Sequence, residues 1–434
     1  MSTVYENVIC GFCGCLCDDI VVEVDVEHER IERVRKACAN GRGWFTHYDP
    51  TPQLPTVGGR PVSWEEAIAE AARILNAADS PLFYGLSSTA TEAQRKVIEL
   101  ADKIGAIVDT TSSVCHGPTS LAMQAVGEPT CTLGEVRNRA DLLIFWGCNP
   151  AVSHVRHFAR YSAMPKGTYT PKGRKGRTVV VVDVRPTEST RLADRFLQIA
   201  PGADFEALTT LRALLQGKTI SVDQVGGVPI SEWAALVDQM KACRFGVAFM
   251  GMGLTHSQGR DLNVSELFTL VAELNQYTRF SVIPMRGHGN VAGADQVLTW
   301  LSGYPFAVSF ARGYPCYGPG EFSAVEVLAW GEADAALIIA SDPVAHFPQA
   351  AASRLKHIPT IVLDPMPSLT TQKAQVVFPT ACYGLDAAGT AYRMDNVPLY
   401  MQAILPSKRP TDADVLERII EAVEAAGAVG EVVR

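Results

Sequence analysis

Residues 142–150 read Leu-Leu-Ile-Phe-Trp-Gly-Cys-Asn-Pro: five apolar residues, the length of a buried strand, followed at once by a glycine and polar side chains. Runs of this kind recur along the chain, and continuous Val, Ile, Leu and Phe stretches are typical of parallel strands covered on both faces. They predict strands at Pro81–Gly85, Leu142–Trp146, Val179–Asp183, Gly246–Met250, Phe280–Pro284, Ala335–Ala340 and Thr360–Asp364.

Amphipathic stretches between these runs have the apolar spacing of helices. Ser63 is placed to cap the first of them, with Glu66 as its capping-box partner. Strands that alternate with helices define an α/β fold of doubly wound αβα domains, in which ligands gather at the carboxyl ends of the strands. The predicted helices are Trp64–Leu75, Thr91–Ile104, Asp204–Leu215, Val264–Leu274 and Asp412–Ala426.

The composition is that of a folded protein of two to four domains, since a domain takes roughly 150 residues and the chain has 434, of which 47% are hydrophobic and 19% charged. The formal charge of −8 argues against broad nucleic-acid binding. No apolar run reaches the roughly 18 residues of a membrane span. Glu6 and Cys10 lie where a secretion signal would carry basic and apolar residues. We therefore expect a cytoplasmic protein with no nucleic-acid partner and no membrane span.

The cysteines are concentrated near the N-terminus. Three of them follow the spacing Cys10-x2-Cys13-x3-Cys17, and Cys38 returns after 20 intervening residues. Four thiolates in this pattern suit the corners of a [4Fe–4S] cluster, and they also suit a tetrahedral zinc site. Cys15 is surplus to either site. The proline-rich residues 49–55 that follow are predicted to form a linker.

A second motif, residues 113–119, reads Ser-Val-Cys-His-Gly-Pro-Thr and precedes a predicted helix. A cysteine at a helix N-terminus beside a histidine has a lowered pKa, which makes it a nucleophile or a soft metal ligand. Taken alone, the motif favours a buried structural cysteine at position 115. The cysteine motif upstream favours the metal-ligand interpretation.

Five motifs follow one another along the chain: the N-terminal cysteines, Cys115–Thr119, Gly147–Pro150, Asp183-x-Arg185-x-Thr187 and Ala388-Gly389-Thr390. Together they resemble the motifs of the molybdopterin oxidoreductase superfamily. Within it, the chain resembles the family of catalytic B subunits of tungsten- or molybdenum-dependent formylmethanofuran dehydrogenases. The strings Cys-Gly-Cys-Leu-Cys-Asp-Asp and Val-Cys-His-Gly-Pro are the most specific part of the resemblance.

The resemblance implies reduction of CO2 to formate, the first step of methanogenesis from CO2. The reaction takes place at a tungsten or molybdenum ion held by two pyranopterin guanine dinucleotides, with electrons from a [4Fe–4S] cluster. Cys115 would be the protein ligand to the metal. His116 and Arg286 match the active-site pair of the family, in which a guanidinium can hold a carboxylate through two parallel hydrogen bonds. His116 would polarise CO2 or move a proton.

Further residues match the dinucleotide-binding parts of the family. Small residues after a strand let backbone N–H groups approach a pyrophosphate, and a carboxylate there can accept from a guanine or ribose. Arginines near these turns would offset the phosphate charges. The predicted cofactor-binding residues are Arg42, Gly147, Cys148, Asn149, Asp183, Arg185, Thr187, Gly251, Gly253, Asp364, Gly389, Thr390 and Arg393.

The expected architecture is a small N-terminal iron–sulfur domain (residues 1–55) followed by two doubly wound, Rossmann-like αβα domains. One of these is discontinuous (56–135 and 325–434), and the other spans 136–324. Asn40 stands where many superfamily members carry a lysine, and we expect Arg42 to replace its charge. The chain stops at Arg434, so we expect it to lack the C-terminal β-barrel of the superfamily.

The resemblance also implies partners: an amidohydrolase subunit, a separate β-barrel subunit covering the dinucleotides, a polyferredoxin or other iron–sulfur carriers, and a larger heterodisulfide reductase assembly. Two alternatives remain open. One is another metal–pterin enzyme such as a formate dehydrogenase. The other is a metal-free scaffold subunit of a formyltransferase/hydrolase complex.

Overall fold

The computed structural model describes residues 2–432, which form two compact units. The first unit combines the chain up to Ser113 with His288–Arg393 and with the chain from Pro398 onward. The second unit combines Val114–Gly287 with Met394–Val397.

The first segment of the chain builds the N-terminal part of the first unit. Its first three strands form an antiparallel sheet, and together with the following helix they make up a cysteine-rich region, residues 2–47, which we call the head. The elements are β1 (Ser2–Val8), β2 (Ile20–Asp25), β3 (Arg30–Arg35), α1 (Ala39–Thr46), β4 (Thr56–Val57), β5 (Arg60–Pro61), α2 (Trp64–Ala77), β6 (Pro81–Gly85), α3 (Thr91–Ile104) and β7 (Ile107–Thr110).

The middle segment forms the second unit around a parallel sheet of five strands. Its elements are α4 (Gly117–Val126), α5 (Leu133–Arg139), β8 (Leu142–Trp146), α6 (Pro150–Ser153), α7 (His157–Arg160), β9 (Thr178–Asp183), β10 (Arg195–Gln198), α8 (Asp204–Leu215), β11 (Gln224–Val225), β12 (Val228–Pro229), α9 (Ile230–Ala242), β13 (Phe245–Met250), α10 (Met252–Thr255), α11 (Asp261–Leu274) and β14 (Arg279–Pro284). The sheet order is β10-β9-β8-β13-β14, and every pairing is parallel. Helices α8, α9 and α11 pack their apolar sides against it to form the core.

The last segment completes a nine-stranded sheet in the first unit. Its elements are α12 (Val291–Ser302), β15 (Val308–Ser309), β16 (Cys316–Tyr317), α13 (Ala324–Trp330), β17 (Ala335–Ile339), α14 (Pro343–His346), α15 (Gln349–Arg354), β18 (Thr360–Leu363), β19 (Val376–Phe378), β20 (Gly389–Tyr392), β21 (Pro398–Met401) and α16 (Asp412–Val432). The order is β16-β15-β7-β6-β17-β18-β19-β4-β5, in which β7 to β19 are parallel and the short strands at both edges are antiparallel. Helices α2, α3, α12 and α16 contribute to its core.

The predicted α/β fold is confirmed. All seven predicted strands are present with ends within one residue of the prediction, and the helices predicted at Thr91–Ile104 and Asp204–Leu215 have the predicted bounds. Ser63 caps α2 as expected, because its hydroxyl accepts from the Glu66 N–H at 3.1 Å. A two-way capping box forms at Thr132 and Glu135, at the start of α5.

The two units divide the chain at residues that differ from the predicted domain boundaries at 135 and 324. Helix α4 packs on α11, so the second unit begins at Val114. Helix α12 packs on α3, and β15 pairs with β7, so the chain rejoins the first unit at His288. The predicted separate domain 1–55 also belongs to the first unit: Cys13 forms a backbone bridge with His288, and the Tyr383 hydroxyl donates to the Gly11 carbonyl at 3.0 Å.

The helices formed by residues 2–432 include none that is both long enough and apolar enough to cross a bilayer.

Candidate active site

The four cysteines of the predicted cluster meet in the head. Cys10 and Cys17 are buried, and a hydrogen bond from the Cys10 N–H to the Cys17 carbonyl (3.0 Å) closes the loop between them. Cys38 caps helix α1, and its sulfur accepts from the Gly41 N–H at 3.3 Å. Burial raises the pKa of the Cys10 thiol, and the charges of the other three cysteines, Cys13 among them, act in the same direction. Four thiols therefore lie within electrostatic reach of one another.

Gly41 marks the point where two of these cysteines come together. A Cβ at this position would lie 2.9 Å from the Cys10 sulfur and 3.6 Å from the Cys38 sulfur. The first of these distances is far inside ordinary van der Waals separation. Only glycine leaves the two sulfurs in their places.

Three further residues lie close to these cysteines. A hydrogen bond from the Cys15 thiol lowers the pKa of Cys13. The positive charge of Arg393, which is buried, lies close enough to oppose the rise in the pKa of Cys15. Arg42 lies on α1, exposed, and its N–H donates to the Cys38 carbonyl at 2.8 Å.

Across residues 2–432, no three His, Cys, Asp or Glu side chains take the arrangement that holds a single metal ion. What favours a metal cluster in the head is the donor set itself, four soft thiols of which two are buried.

Cys115 and His116 lie just before helix α4 in the second unit, as predicted. Cys115 is partly exposed, and its carbonyl accepts from the Thr255 hydroxyl at 3.0 Å. His116 caps α4 and is buried, with Nδ1 3.1 Å from the Thr119 hydroxyl and Nε2 3.3 Å from the Met285 carbonyl. Because a carbonyl only accepts, Nε2 carries the proton. Burial, and secondly the charge of Arg286, lowers the pKa of His116 to about 3, so the ring is neutral at physiological pH.

Arg286 follows strand β14 and is 5% exposed. Two histidines hold the backbone beside it: His116 donates to the Met285 carbonyl, and His154 donates from Nε2 to the Arg286 carbonyl at 2.8 Å. Burial also lowers the pKa of His154. Two neutral imidazoles thus fix consecutive carbonyls and with them the base of the Arg286 side chain.

Glu128 is a titratable neighbour of Arg286 that sequence reasoning missed. Burial raises the pKa of its carboxyl to about 7, and the Arg286 charge opposes that rise. Glu128 follows the C-terminal end of α4, and nothing in its local sequence marks it. His154 was missed as well. The sequence does offer a signal, since two histidines three residues apart, His154 and His157, follow strand β8.

Three predicted glycines meet where strands β8 and β13 end. A Cβ at Gly147 would lie 2.6 Å from the Leu254 nitrogen, and one at Gly253 would lie 2.7 Å from the Gly147 Cα. Their N–H groups already have backbone partners: Gly147 donates to Val182, Gly251 to Trp146 and Gly253 to Gly147, at 2.9–3.1 Å. These glycines therefore let two loops pack backbone to backbone, and the N–H groups expected to face a pyrophosphate are used within the protein.

The two residues that follow Gly147 also form hydrogen bonds within the protein. Cys148 is buried, and its thiol donates to the Phe249 carbonyl at 3.5 Å. Asn149 donates to Glu188 at 2.6 Å and accepts from the Ser189 hydroxyl at 2.6 Å, which ties the turn after β8 to the turn after β9.

The turn after strand β9 carries the predicted guanine- and phosphate-binding residues. Asp183 accepts from the Val184 N–H at 2.8 Å, and burial raises the pKa of its carboxyl. Arg185 is exposed. The hydroxyl of Thr187 is buried without a hydrogen-bond partner, which is costly unless a ligand or water satisfies it.

The predicted residues of the first unit have mainly internal partners. Burial raises the pKa of the Asp364 carboxyl to about 7, and Asp364 accepts from the Met366 N–H at 2.9 Å. Gly389 lies against Ala90 at the start of α3, and the Thr390 N–H and hydroxyl both donate to Glu92, at 3.0 and 2.9 Å. Thr390 therefore has no free donor for a phosphate while this pairing holds.

Known proteins resemble this chain over nearly its whole length. A sequence profile described as molybdopterin oxidoreductase matches residues 58–408. The B subunit of tungsten-containing formylmethanofuran dehydrogenase 2 from Methanocaldococcus jannaschii is 44% identical over 434 residues, covering 98% of this chain and 99% of that relative. The protein of the same name from Methanococcus maripaludis is 42% identical over 431 residues, covering 97% and 99%.

A solved structure, the formyltransferase/hydrolase complex from Methylorubrum extorquens with methylofuran, contains a chain that matches this one with a TM-score of 0.72 at 25% identity. The match covers 86% of this chain and 100% of the other. The present chain therefore belongs to the molybdopterin oxidoreductase family. Within that family it groups with the B subunits of tungsten-containing formylmethanofuran dehydrogenases, which confirms the resemblance drawn from the motifs.

Proposed function

We propose that this chain is the redox subunit of a ferredoxin-linked formylmethanofuran dehydrogenase. It reduces CO2 to formate with two electrons and one proton, at a tungsten or molybdenum ion held by two pyranopterin guanine dinucleotides. Cys10, Cys13, Cys17 and Cys38 would hold a [4Fe–4S] cluster, which would supply the electrons. Formate then passes to a partner subunit that condenses it with methanofuran.

The residues described above fit these groups. The head supplies four thiols within electrostatic reach of one another, and a side chain at Gly41 would displace the Cys10 sulfur. The second unit supplies a partly exposed thiol, a buried guanidinium and an unpartnered buried hydroxyl at Thr187. When bound, the metal–pterin group supplies the two-electron redox chemistry.

Each catalytic residue has a distinct task in this proposal. Cys115 is the soft protein ligand of the metal. Arg286 would hold the carboxylate of formate through paired hydrogen bonds from its guanidinium. Its burial strengthens that attraction, because little water competes.

His116 is proposed to position Arg286, in addition to polarising CO2 or moving a proton as the family resemblance implies. Both ring nitrogens face protein partners, and burial lowers the pKa of His116 to about 3, so at neutral pH the ring is neutral and carries a single proton, on Nε2. This N–H fixes the Met285 carbonyl and so the chain that carries Arg286.

The dinucleotide sites are proposed along the strand ends. Gly147, Gly251 and Gly253 would leave the strand ends free of side chains, so that a dinucleotide can approach the backbone there. Asp183, Arg185 and Thr187 would provide the polar contacts. Asp364, Gly389, Thr390, Arg393 and Arg42 line the corresponding part of the first unit.

The proposed partners are an amidohydrolase subunit, a separate β-barrel subunit that covers the dinucleotides, and polyferredoxin or other iron–sulfur carriers within a larger heterodisulfide reductase assembly. The protein is proposed to work in the cytoplasm.

The observation that carries the proposal is that four head thiols lie within electrostatic reach of one another, two of them at Gly41, in a chain that also keeps Cys115 next to His116, on whose pKa the buried Arg286 acts. Elemental analysis of the complex, purified without oxygen, tests it. We expect about one tungsten or molybdenum per chain and, beyond the iron that the iron–sulfur partners contribute, about four irons per chain.

A second candidate is a metal-free scaffold in a formyltransferase/hydrolase complex. It is favoured by the 25% identical chain of the Methylorubrum extorquens complex, all of which is covered by the match. A purified complex that transfers formyl groups and contains neither iron nor tungsten nor molybdenum would leave this candidate and remove the redox proposal.

A further inference from the structure

Five consecutive polar residues, Asp109-Thr110-Thr111-Ser112-Ser113, end strand β7 and lead toward Cys115 two residues later. The first four are buried, and Ser113 is half-buried. Burying polar groups is unfavourable unless each finds a hydrogen-bond partner. A buried loop made only of such residues therefore depends on what those partners are.

Asp295, from helix α12, holds two of the hydroxyls. It is 5% exposed and accepts from the Thr110 hydroxyl at 3.0 Å and from the Ser112 hydroxyl at 2.7 Å, using a different carboxylate oxygen for each. One buried carboxylate thus clamps the loop at two points.

Asp109 holds the end of the loop. It accepts from the Ser113 hydroxyl at 2.6 Å, and its two oxygens also accept from the backbone N–H groups of Ala307 (3.1 Å) and Ala324 (2.7 Å). The remaining hydroxyl, on Thr111, pairs with the Ser87 hydroxyl. All four hydroxyls of the loop are anchored within the first unit.

We propose that Asp109 and Asp295 are positioning residues for the metal ligand Cys115, acting through this anchored loop. The inference rests on the proposed function, since it concerns the thiolate assigned to tungsten or molybdenum. A thiolate ligand must present its sulfur in a fixed direction, and partners behind a ligand commonly set that direction. With the chain pinned up to Ser113, only Val114 separates the anchored backbone from Cys115.

Stability alone would not require such an arrangement. Hydrophobic residues could close the end of a parallel strand without burying two acidic side chains, which is unfavourable unless each is fully hydrogen-bonded. The arrangement gains a defined backbone path instead, because hydrogen bonds are directional.

The test compares Asp295→Ala and Asp295→Asn with Thr360→Val, in the intact complex. Thr360 is a buried hydroxyl of the same sheet that donates to the Leu355 carbonyl at 3.1 Å, at the opposite, amino end of a strand. The Thr360→Val variant therefore measures how much stability is lost with one buried hydrogen bond at a position that no proposed metal ligand follows.

We expect Asp295→Ala to broaden or split the electron paramagnetic resonance signal of the tungsten or molybdenum and to lower kcat for CO2 reduction about 10-fold. Asp295→Asn, which keeps one acceptor, should recover most of both. Thr360→Val should lower the melting temperature and leave the signal unchanged. Ser113→Ala, which removes the hydroxyl that Asp109 holds, is measured beside them as the test of Asp109, with the same expected change in the signal. It also serves as the milder removal of one anchor if Asp295→Ala does not fold.

A metal signal and kcat identical to the wild type in these variants would overturn the positioning role. The proposed function has its own point of failure: a wild-type complex without tungsten or molybdenum. A loaded wild type with unaffected variants rejects only the role of the two carboxylates.

Discussion

Replacing Gly41 with alanine should prevent the head from holding its iron. The added Cβ would lie 2.9 Å from the Cys10 sulfur, whereas heavy atoms in contact prefer about 3.5–4.0 Å. The sulfur must therefore retreat by roughly 0.6 Å or more, and metal sites tolerate deviations of only about 0.2 Å in ligand distances. Overpacking of this kind also costs about 1–3 kcal/mol of stability.

Gly43→Ala is the matched control for this change, because it adds the same methyl group to the same helix, α1. A Cβ at Gly43 would meet only the His47 ring, at 3.7 Å, an ordinary contact. Exchanging glycine for alanine inside a helix usually stabilises it by about 0.5–1 kcal/mol. The control should therefore keep its full iron content.

The assay is iron content together with the visible absorption of the cluster, measured on each complex purified without oxygen. We expect the Gly41→Ala complex to contain about four irons per chain fewer than the wild-type complex, and the Gly43→Ala complex to match the wild type. Full iron in the Gly41→Ala complex would refute the assignment of Cys10 and Cys38 as neighbouring ligands.

Three further changes test the second unit. Cys115→Ala should abolish CO2 reduction while sparing formyl hydrolysis in the partner subunit, and CO2 reduction at the wild-type rate would remove Cys115 as the metal ligand. Arg286→Lys should lower the rate of CO2 reduction at least about 10-fold, because one ammonium cannot reproduce a forked pair of hydrogen bonds; an unchanged rate would make Arg286 structural. The pKa of His116 is lowered from 6.5 to about 3, so between these values the unfolded chain binds a proton that the folded chain does not. The free energy of unfolding should therefore fall by up to about 1.4 kcal/mol per pH unit as the pH drops below the ordinary histidine pKa. Acid titrations of His116→Gln should show a shallower fall, and an equal slope would contradict the buried neutral ring.

Much of the fold was predictable because its signals are local. The seven buried strands are continuous apolar runs, and their ends differ from the prediction by at most one residue. The antiparallel edges were not predictable, since strands such as β4 (Thr56–Val57) and β15 (Val308–Ser309) are two residues long and exist only through their neighbours.

The same contrast applies to the candidate site. The cysteine motif and the Cys115-His116 pair are visible as sequence strings. Glu128, His154 and Asp295 are not, because their importance comes from groups far away in sequence, such as the Arg286 carbonyl that His154 holds.

The glycines show how a correct signal can have a different physical cause. Gly147, Gly251 and Gly253 stand at the strand ends where a cofactor turn was expected. Their lack of a side chain is already required by the approach of two loops, and their N–H groups bond to backbone carbonyls. A pattern of glycines therefore indicates that the backbone is closely approached at these positions. It does not indicate whether a cofactor or another loop makes the approach.

The most direct test of the redox assignment is an anomalous-scattering map of crystals of the intact complex, recorded on both sides of the iron absorption edge and of the tungsten edge. The account predicts iron density enclosed by Cys10, Cys13, Cys17 and Cys38, and a single heavy-atom peak bonded to the Cys115 sulfur. A map with a lone zinc between the head sulfurs and no heavy atom at Cys115 would contradict it.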